Sequence, residues 1–286
     1  MSTRVSRARA VVATGRRPTV VARVAGVSRQ ALYRPISRRP PGAGPGRGRP
    51  GDDTIVEVAR ANPVDGTRMV AALASRQLGV PVNRKRVQRV MGAHGLLQRS
   101  RSTDRRRRPG YFRVRRPDEL WHLDMTKVWT AAQGWVYLHV AVDCCTREVA
   151  GRALDVRTRT TEAIGCVEAA VLARAVPPGQ LTLGTDNGSQ FTSRDFRTHL
   201  SARAITHRRG GYRDPESQAF IESWSGQFKK RCAWHTEWEN IEAARAEIAT
   251  YIQTYHHRPH SGLAYRTPAE VARTWADPEP LHTTPT

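Results

Sequence analysis

The chain has 286 residues, 39% of them hydrophobic, with 47 basic against 25 acidic side chains and a formal net charge of +22. That length accommodates roughly two to four small domains, each with its own core. No run reaches the roughly 18 apolar residues that cross a bilayer, and the first residues, Met1-Ser-Thr-Arg-Val-Ser-Arg7, show no signal peptide. Cys144, Cys145, Cys166 and Cys232 form no Cys-x-x-Cys pair, which fits a reducing compartment and argues against a cysteine zinc site.

The charge is unevenly placed. Residues 1–120 carry a net +21 and residues 121–286 a net +1. The first part is therefore expected to meet a polyanion, nucleic acid above all. The second has the ordinary balance of an enzyme domain.

In chain order, residues 19–34 predict two short helices around a turn at Gly26, with Ser28 as N-cap and Leu32 packing back on the first helix. This is the pattern of a helix-turn-helix spanning residues 1–34, and it places Arg29, Gln30, Tyr33 and Arg34 toward DNA. A helical hairpin without DNA contacts is the alternative. Residues 35–52 form a linker rich in proline and glycine.

Residues 53–98 predict a second helix-turn-helix-like domain, with helices near Thr54–Ala61, Thr67–Gln77 and Asn83–His94. Arg84, Lys85, Arg86 and Arg89 stud its last helix and are read as DNA contacts, against the alternative of a solvated basic face. Residues 99–117 form an arginine-rich linker that includes Arg105–Arg108 and is suited to tracking phosphates.

From residue 118 to 276 the periodicity turns to strands and helices. Strands are expected at Leu120–Thr130, Trp135–Cys144, Arg147–Leu154, Leu181–Thr185 and Ala204–His207. Helices are expected at Thr160–Ala173, Ser193–Ala202, Ser217–Cys232, Ile241–His256 and Ala269–Trp275, the last opened by a capping box from Thr267 to Glu270. Residues 277–286 are a tail. Three antiparallel strands followed by alternating helices and strands predict an α/β fold, an RNase H-like catalytic core on a mixed five-stranded sheet.

That fold brings three acids together. Asp124 lies in the first strand, within Trp121-His-Leu-Asp-Met-Thr126. Asp186 closes the fourth, within Leu183-Gly-Thr-Asp-Asn-Gly-Ser-Gln-Phe191. Glu222 lies on the long helix, within Ala219-Phe-Ile-Glu-Ser-Trp224. Clustered carboxylates repel one another unless cations join them. Two Mg²⁺ ions (or Mn²⁺) suit such oxygen ligands and support in-line phosphodiester chemistry. Lys229 follows Glu222 by two helical turns on the same face and is placed to hold a DNA phosphate. Asn187 is read as orienting Asp186 or reaching DNA, and Gly188 as permitting a tight turn.

Other residues compete for attention. Asp143 is read as structural, held by Arg147 or a turn amide. His122, on the same strand face as Asp124, is read as packing, with contact to DNA or a metal-bound water as the alternative. His256, His257 and His260 suit a helix end better than zinc. Trp224, Trp234 and Trp238 are read as core or interface.

With these motifs go Asn83-Arg-Lys-Arg-Val-Gln-Arg-Val-Met91, Gly95-Leu-Leu97 and Tyr255-His-His-Arg-Pro-His-Ser-Gly-Leu-Ala-Tyr-Arg-Thr-Pro-Ala-Glu270. On them the chain resembles the DDE transposases and integrases, and among these the OrfB-type transposases of the insertion-sequence-three family, over most of its length. The resemblance implies Asp124, Asp186 and Glu222 as catalytic metal-binding triad and Lys229 as a contact to the element end. One departure is Gln218, where the family often has Asn. The implied function is binding of terminal inverted repeats and target DNA, metal-dependent cleavage and strand transfer, in a homo-oligomer, with a first-reading-frame transposase protein as a further partner. A cytoplasmic, DNA-associated bacterial protein is expected. The alternatives are a catalytically inactive, transposase-derived DNA-binding regulator and a plain RNase H-like nuclease.

Overall fold

The structure, a computed structural model, describes residues 3–33, 48–98, 114–210 and 219–276. The chain divides into two compact units, residues 1–49 and 50–286.

Among the described residues the first unit holds three helices, α1 (Thr3–Ala13), α2 (Pro18–Ala25) and α3 (Arg29–Tyr33). Pro18 starts α2, where its missing N–H costs nothing. Gly26 ends it in the left-handed region, φ 62°. Ser28 Oγ accepts from the Ala31 amide at 3.2 Å, and Leu32 is buried with Ala8, Val21 and Ala22. Nothing in the sequence announces α1, which carries three arginines and few large apolar residues. Arg9 ties it in, donating to the Ala31 carbonyl at 2.7 Å.

The second unit opens with α4 (Asp52–Ala61), α5 (Thr67–Leu78) and α6 (Arg84–Ala93) around Ile55, Val70, Val87 and Met91. Asn83 caps α6, its side chain accepting from the Lys85 amide at 2.8 Å.

Five strands follow. β1 (Leu120–Thr130), β2 (Gly134–Asp143) and β3 (Val149–Asp155) are antiparallel, and β4 (Thr182–Thr185) and β5 (Thr206–Arg209) extend the sheet in parallel, in the order β3-β2-β1-β4-β5. This is the expected RNase H-like sheet. Alternate residues of β1 face opposite sides. Trp121 and Leu123 pack under α7 (Thr160–Ala173), α8 (Ser189–Thr192) and α9 (Arg194–Ala202). Val128, with Val136, Leu138 and Val140 of β2, packs under α10 (Ala219–Phe228) and α11 (Ile241–His256).

Several expected boundaries move. β3 starts at Val149 instead of Arg147, because Arg147 sits in a turn with φ 67°. β5 runs two residues later than expected, since Ala204 has φ 54° and turns the chain after α9. The four-residue α8 was not expected. The expected single helix through Cys232 changes character at Lys229. Residues Lys229–Ala233 form a π-helical turn in which the Trp234 amide donates to the Lys229 carbonyl at 2.9 Å. Ser217 and Gln218 lie outside the described residues. α12 (Pro268–Ala276) is capped as expected: the Thr267 amide donates to Glu270 Oε2 at 2.8 Å, and the Glu270 amide to Thr267 Oγ1 at 3.1 Å. Among the described residues no helix is long and apolar enough to cross a membrane.

Candidate active site

β1 and β4 run side by side, pairing Leu120 with Thr182 through Leu123 with Thr185. Asp124 follows the last paired residue on β1 and Asp186 the last on β4. Asp124 is half-buried, and its Oδ1 accepts from the Met125 amide at 2.7 Å. Asp186 is exposed just past the end of β4, with Oδ1 accepting from the Gly188 amide at 2.9 Å. A Cβ at Gly188 would stand 3.0 Å from that oxygen and 2.7 Å from Gln190 Nε2, so glycine lets the turn close under the carboxylate. Asn187 donates to the Gly210 carbonyl at 3.0 Å and ties this turn to the end of β5.

Glu222 is exposed on the first turn of α10. Sequence reasoning missed what seats it. Phe220, two residues earlier, stacks on His122 of β1, ring centroids 5.7 Å apart and planes 23° apart. The Arg147 guanidinium lies 3.2 Å from the same ring centroid. The Arg147 carbonyl in turn accepts from Tyr255 Oη at 2.9 Å. The start of α10 is thus held between the sheet and the turn before β3. An aromatic two residues before the candidate acid is the only signal the sequence offered.

The electrostatics converge on Asp124. Burial raises its carboxyl above the ordinary carboxylate range; the Met125 amide opposes this, the charges of Asp186 and Glu222 push it further up, and Lys229 pulls it down. All three partners therefore act on one point. Among the described residues no three His, Cys, Asp or Glu side chains are grouped closely enough to hold a metal ion. A donor set made only of carboxylates, with mutual repulsion to be relieved, suits hard divalent cations such as Mg²⁺.

Asp143 is fully buried, and its carboxylate accepts from the amides of Cys145, Thr146 and Asp118 at 2.7, 2.8 and 2.7 Å. Turn amides thus hold it, one of the two roles expected, and Arg174 lies 3.8 Å away. His122 is buried, with its imidazole pushed down to about 4 by burial and the nearby Arg147 and Arg208. His256 Nε2 accepts from the Val149 amide at 2.9 Å and His260 Nδ1 from the Gly262 amide at 3.1 Å, so both serve the backbone. Trp224 and Trp238 are core residues, whereas Trp234 is exposed.

In the first unit Arg29, Gln30 and Tyr33 are exposed on α3, and Arg34 lies outside the described residues. On α6 Arg84 and Lys85 are exposed. Arg86 and Arg89 both hold Asp52, at 2.8 and 2.9 Å, and Arg86 also donates to the Pro50 carbonyl. Part of the basic stripe on α6 thus serves its own domain.

Comparison with known proteins gives a consistent set. An integrase core domain model matches residues 114–215, a second integrase core domain model matches 203–268, and an HTH-like domain model matches 52–115. The transposase for insertion sequence element IS904 of Lactococcus lactis is 30% identical over 213 residues, covering 68% of this chain and 82% of the relative. An uncharacterized 31.7 kDa protein of insertion element IS407 from Burkholderia multivorans is 30% identical over 226 residues, 76% of this chain and 79% of the relative. Transposase InsD for insertion element IS2-9 of Escherichia coli is 28% identical over 94% of each chain. Among solved structures, a chain of the simian T-cell lymphotropic virus intasome in complex with PP2A regulatory subunit B56 gamma aligns at a TM-score of 0.49 and 18% identity, over 80% of this chain and 76% of that chain. The HTLV-2 integrase catalytic core domain in complex with magnesium, trimeric form, aligns at 0.41 and 20%, over 54% and 96%.

Proposed function

Since the chain belongs to the transposases of the insertion-sequence-three family, with an integrase core domain and an HTH-like domain, we propose that it is a DDE transposase that cuts and joins DNA at element ends. The observation that carries the reading is that β1 and β4 pair up to the residue before Asp124 and Asp186, with the charges of Asp186, Glu222 and Lys229 felt at Asp124.

Asp124, Asp186 and Glu222 would hold two Mg²⁺ or Mn²⁺ ions, which when bound supply the positive charge that eases attack on a phosphodiester and departure of the 3′ oxygen. The chain's own residues do the rest by position and charge. Lys229 anchors a phosphate beside the carboxylates. Asn187 holds the Asp186 turn against β5 and so fixes that carboxylate at the strand end. Phe220 sets the height of Glu222.

In the first step water attacks a phosphodiester, and one P–O bond forms as another breaks, leaving a 3′ hydroxyl and a 5′ phosphate. In the second, that hydroxyl attacks a phosphodiester of target DNA. The first step is a hydrolysis and runs downhill; the second exchanges one phosphodiester for another and releases a 3′ hydroxyl of the target strand, so neither step needs a high-energy cofactor.

Arg29, Gln30, Tyr33 and Arg34 would read one part of the terminal inverted repeat, and Arg84 and Lys85 another, with Arg86 and Arg89 adding charge behind them. Two ends must meet for strand transfer, which calls for a homo-oligomer. A first-reading-frame protein would add further end recognition, and the place of action would be the bacterial cytoplasm.

The test is cleavage of a labelled duplex bearing the element's own end with Mg²⁺ or Mn²⁺. Wild type is expected to nick at the end. Asp124→Asn, Asp186→Asn and Glu222→Gln are each expected to bind the duplex normally and lose at least about a hundredfold in rate. Nicking at the wild-type rate by any of the three would remove that residue from the triad.

A further inference from the structure

α5 is fastened to the catalytic domain at both ends. Asp65, in the loop that leads into α5, is only 4% exposed. One of its carboxylate oxygens accepts from Arg231 and the other from Arg258. Arg258 also donates to Asn62 Oδ1 at 2.9 Å, reaching the end of the preceding helix. Arg231 belongs to the π-helical turn that begins at Lys229, and Arg258 follows the last turn of α11. At the far end of α5, Arg76 donates to both carboxylate oxygens of Glu270 at 2.6 and 2.7 Å and to the Tyr265 carbonyl at 3.1 Å.

Two ties about 16 Å apart, at 1.5 Å of rise per residue, fix an orientation as well as a proximity. They differ in kind. The Asp65 tie is desolvated, so its removal leaves two guanidinium groups facing each other in a poorly hydrated gap. The Arg76 tie is exposed but bidentate, which makes it directional. Neither uses Arg84 or Lys85, which stay exposed on α6.

We infer that Asp65 and Arg76 are positioning residues that lock the HTH-like domain to the catalytic core as a ruler, so that the protein sets the distance along DNA from the segment met by α6 to the phosphate that is cut. The inference rests on the active-site reading above and on α6 meeting DNA. It adds that the spacing is built into the protein and that Asp65, which no catalytic argument uses, maintains it.

The experiment uses the full chain and duplexes of the element's own end with none, five or ten base pairs inserted between the segment protected by the HTH-like domain and the cut. Ten base pairs restore the helical face but add about 34 Å, so a flexible tether tolerates them and a rigid ruler does not. Wild type is expected to cut the unspaced end and to lose at least about tenfold on both spaced ends, as a reacting group displaced by ångströms loses rate. Asp65→Asn and Arg76→Gln are expected to cut all three within a few-fold of one another. Arg76→Gln keeps the test alive if Asp65→Asn fails to fold.

Hydroxyl-radical footprints on the same duplexes read the same geometry without cleavage. Wild type is expected to protect a stretch of constant length, and the variants a stretch that splits around the insertion. Wild type tolerating ten base pairs, or both variants keeping the wild-type spacing profile with normal melting and DNA affinity, overturns the ruler. Continued cutting by Asp186→Asn overturns the triad instead, and leaves the spacing profile to judge the ruler.

Discussion

Glu222 reaches the candidate site from an exposed helical turn, so its position depends on the ring of Phe220 between His122 and Arg147. Phe220→Ala removes that seat while leaving every carboxylate in place. Cleavage should fall about ten- to a hundredfold with little change in DNA affinity, since sub-ångström placement controls the rate. An unchanged rate would show that α10 is held by other means. His256 and His260 carry a second consequence. Burial, first among the causes, holds both imidazoles at about 4, below their usual 6.5. On acidification the unfolded chain therefore takes up protons first. Stability is fully present above pH 6.5 and is lost toward pH 4, by up to about 1.4 kcal/mol per pH unit for each group. Urea unfolding at pH 7 and pH 5 measures this, and His256→Gln, which keeps an acceptor for the Val149 amide, should lessen the difference. Equal loss in wild type and variant would assign the acid sensitivity elsewhere.

At the scale of elements, the site exists because β1 and β4 are parallel neighbours and α10 crosses one face of the sheet. β3 bears on it indirectly, through its close approach to α7. A Cβ at Gly151 would stand 2.5 Å from Ala170 Cβ and 2.9 Å from the Cys166 carbonyl oxygen, with no flexible side chain to yield. Gly151→Ala should cost about 1–3 kcal/mol through overpacking and lower the melting temperature. An unchanged melt would mean that α7 shifts freely.

The elements also show what the sequence could and could not reveal. β1 was legible because Trp121, Leu123 and Val128 alternate between two cores, and α11 because Asn240 and an unbroken apolar stripe bound it. The π-helical turn at Lys229 was not legible, because the apolar spacing of Trp224, Phe228 and Cys232 reads as continuous helix. The ends of β3 and β5 were set by positive φ at Arg147 and Ala204, residue types that give no warning of it.

Across the whole chain, the positive charge of residues 1–120 pointed to nucleic acid, and the charge-balanced remainder to chemistry. The three acids were legible through their neighbours in sequence, and the strand register runs to the residue before each of the two aspartates. The ties that join the helical domain to the core were not legible. Asp65 and Arg258 lie 193 positions apart, and nothing local marks either as a partner for the other. Likewise the basic stripe on α6 gave no sign that Asp52 would claim Arg86 and Arg89.

If Asp124, Asp186 and Glu222 run transposition chemistry, cells that carry the chain and its own element on a plasmid form abutted element ends that PCR detects. Junctions are expected with wild type and none with Asp186→Asn or Glu222→Gln at equal protein levels. Junctions at wild-type frequency from either variant would contradict it.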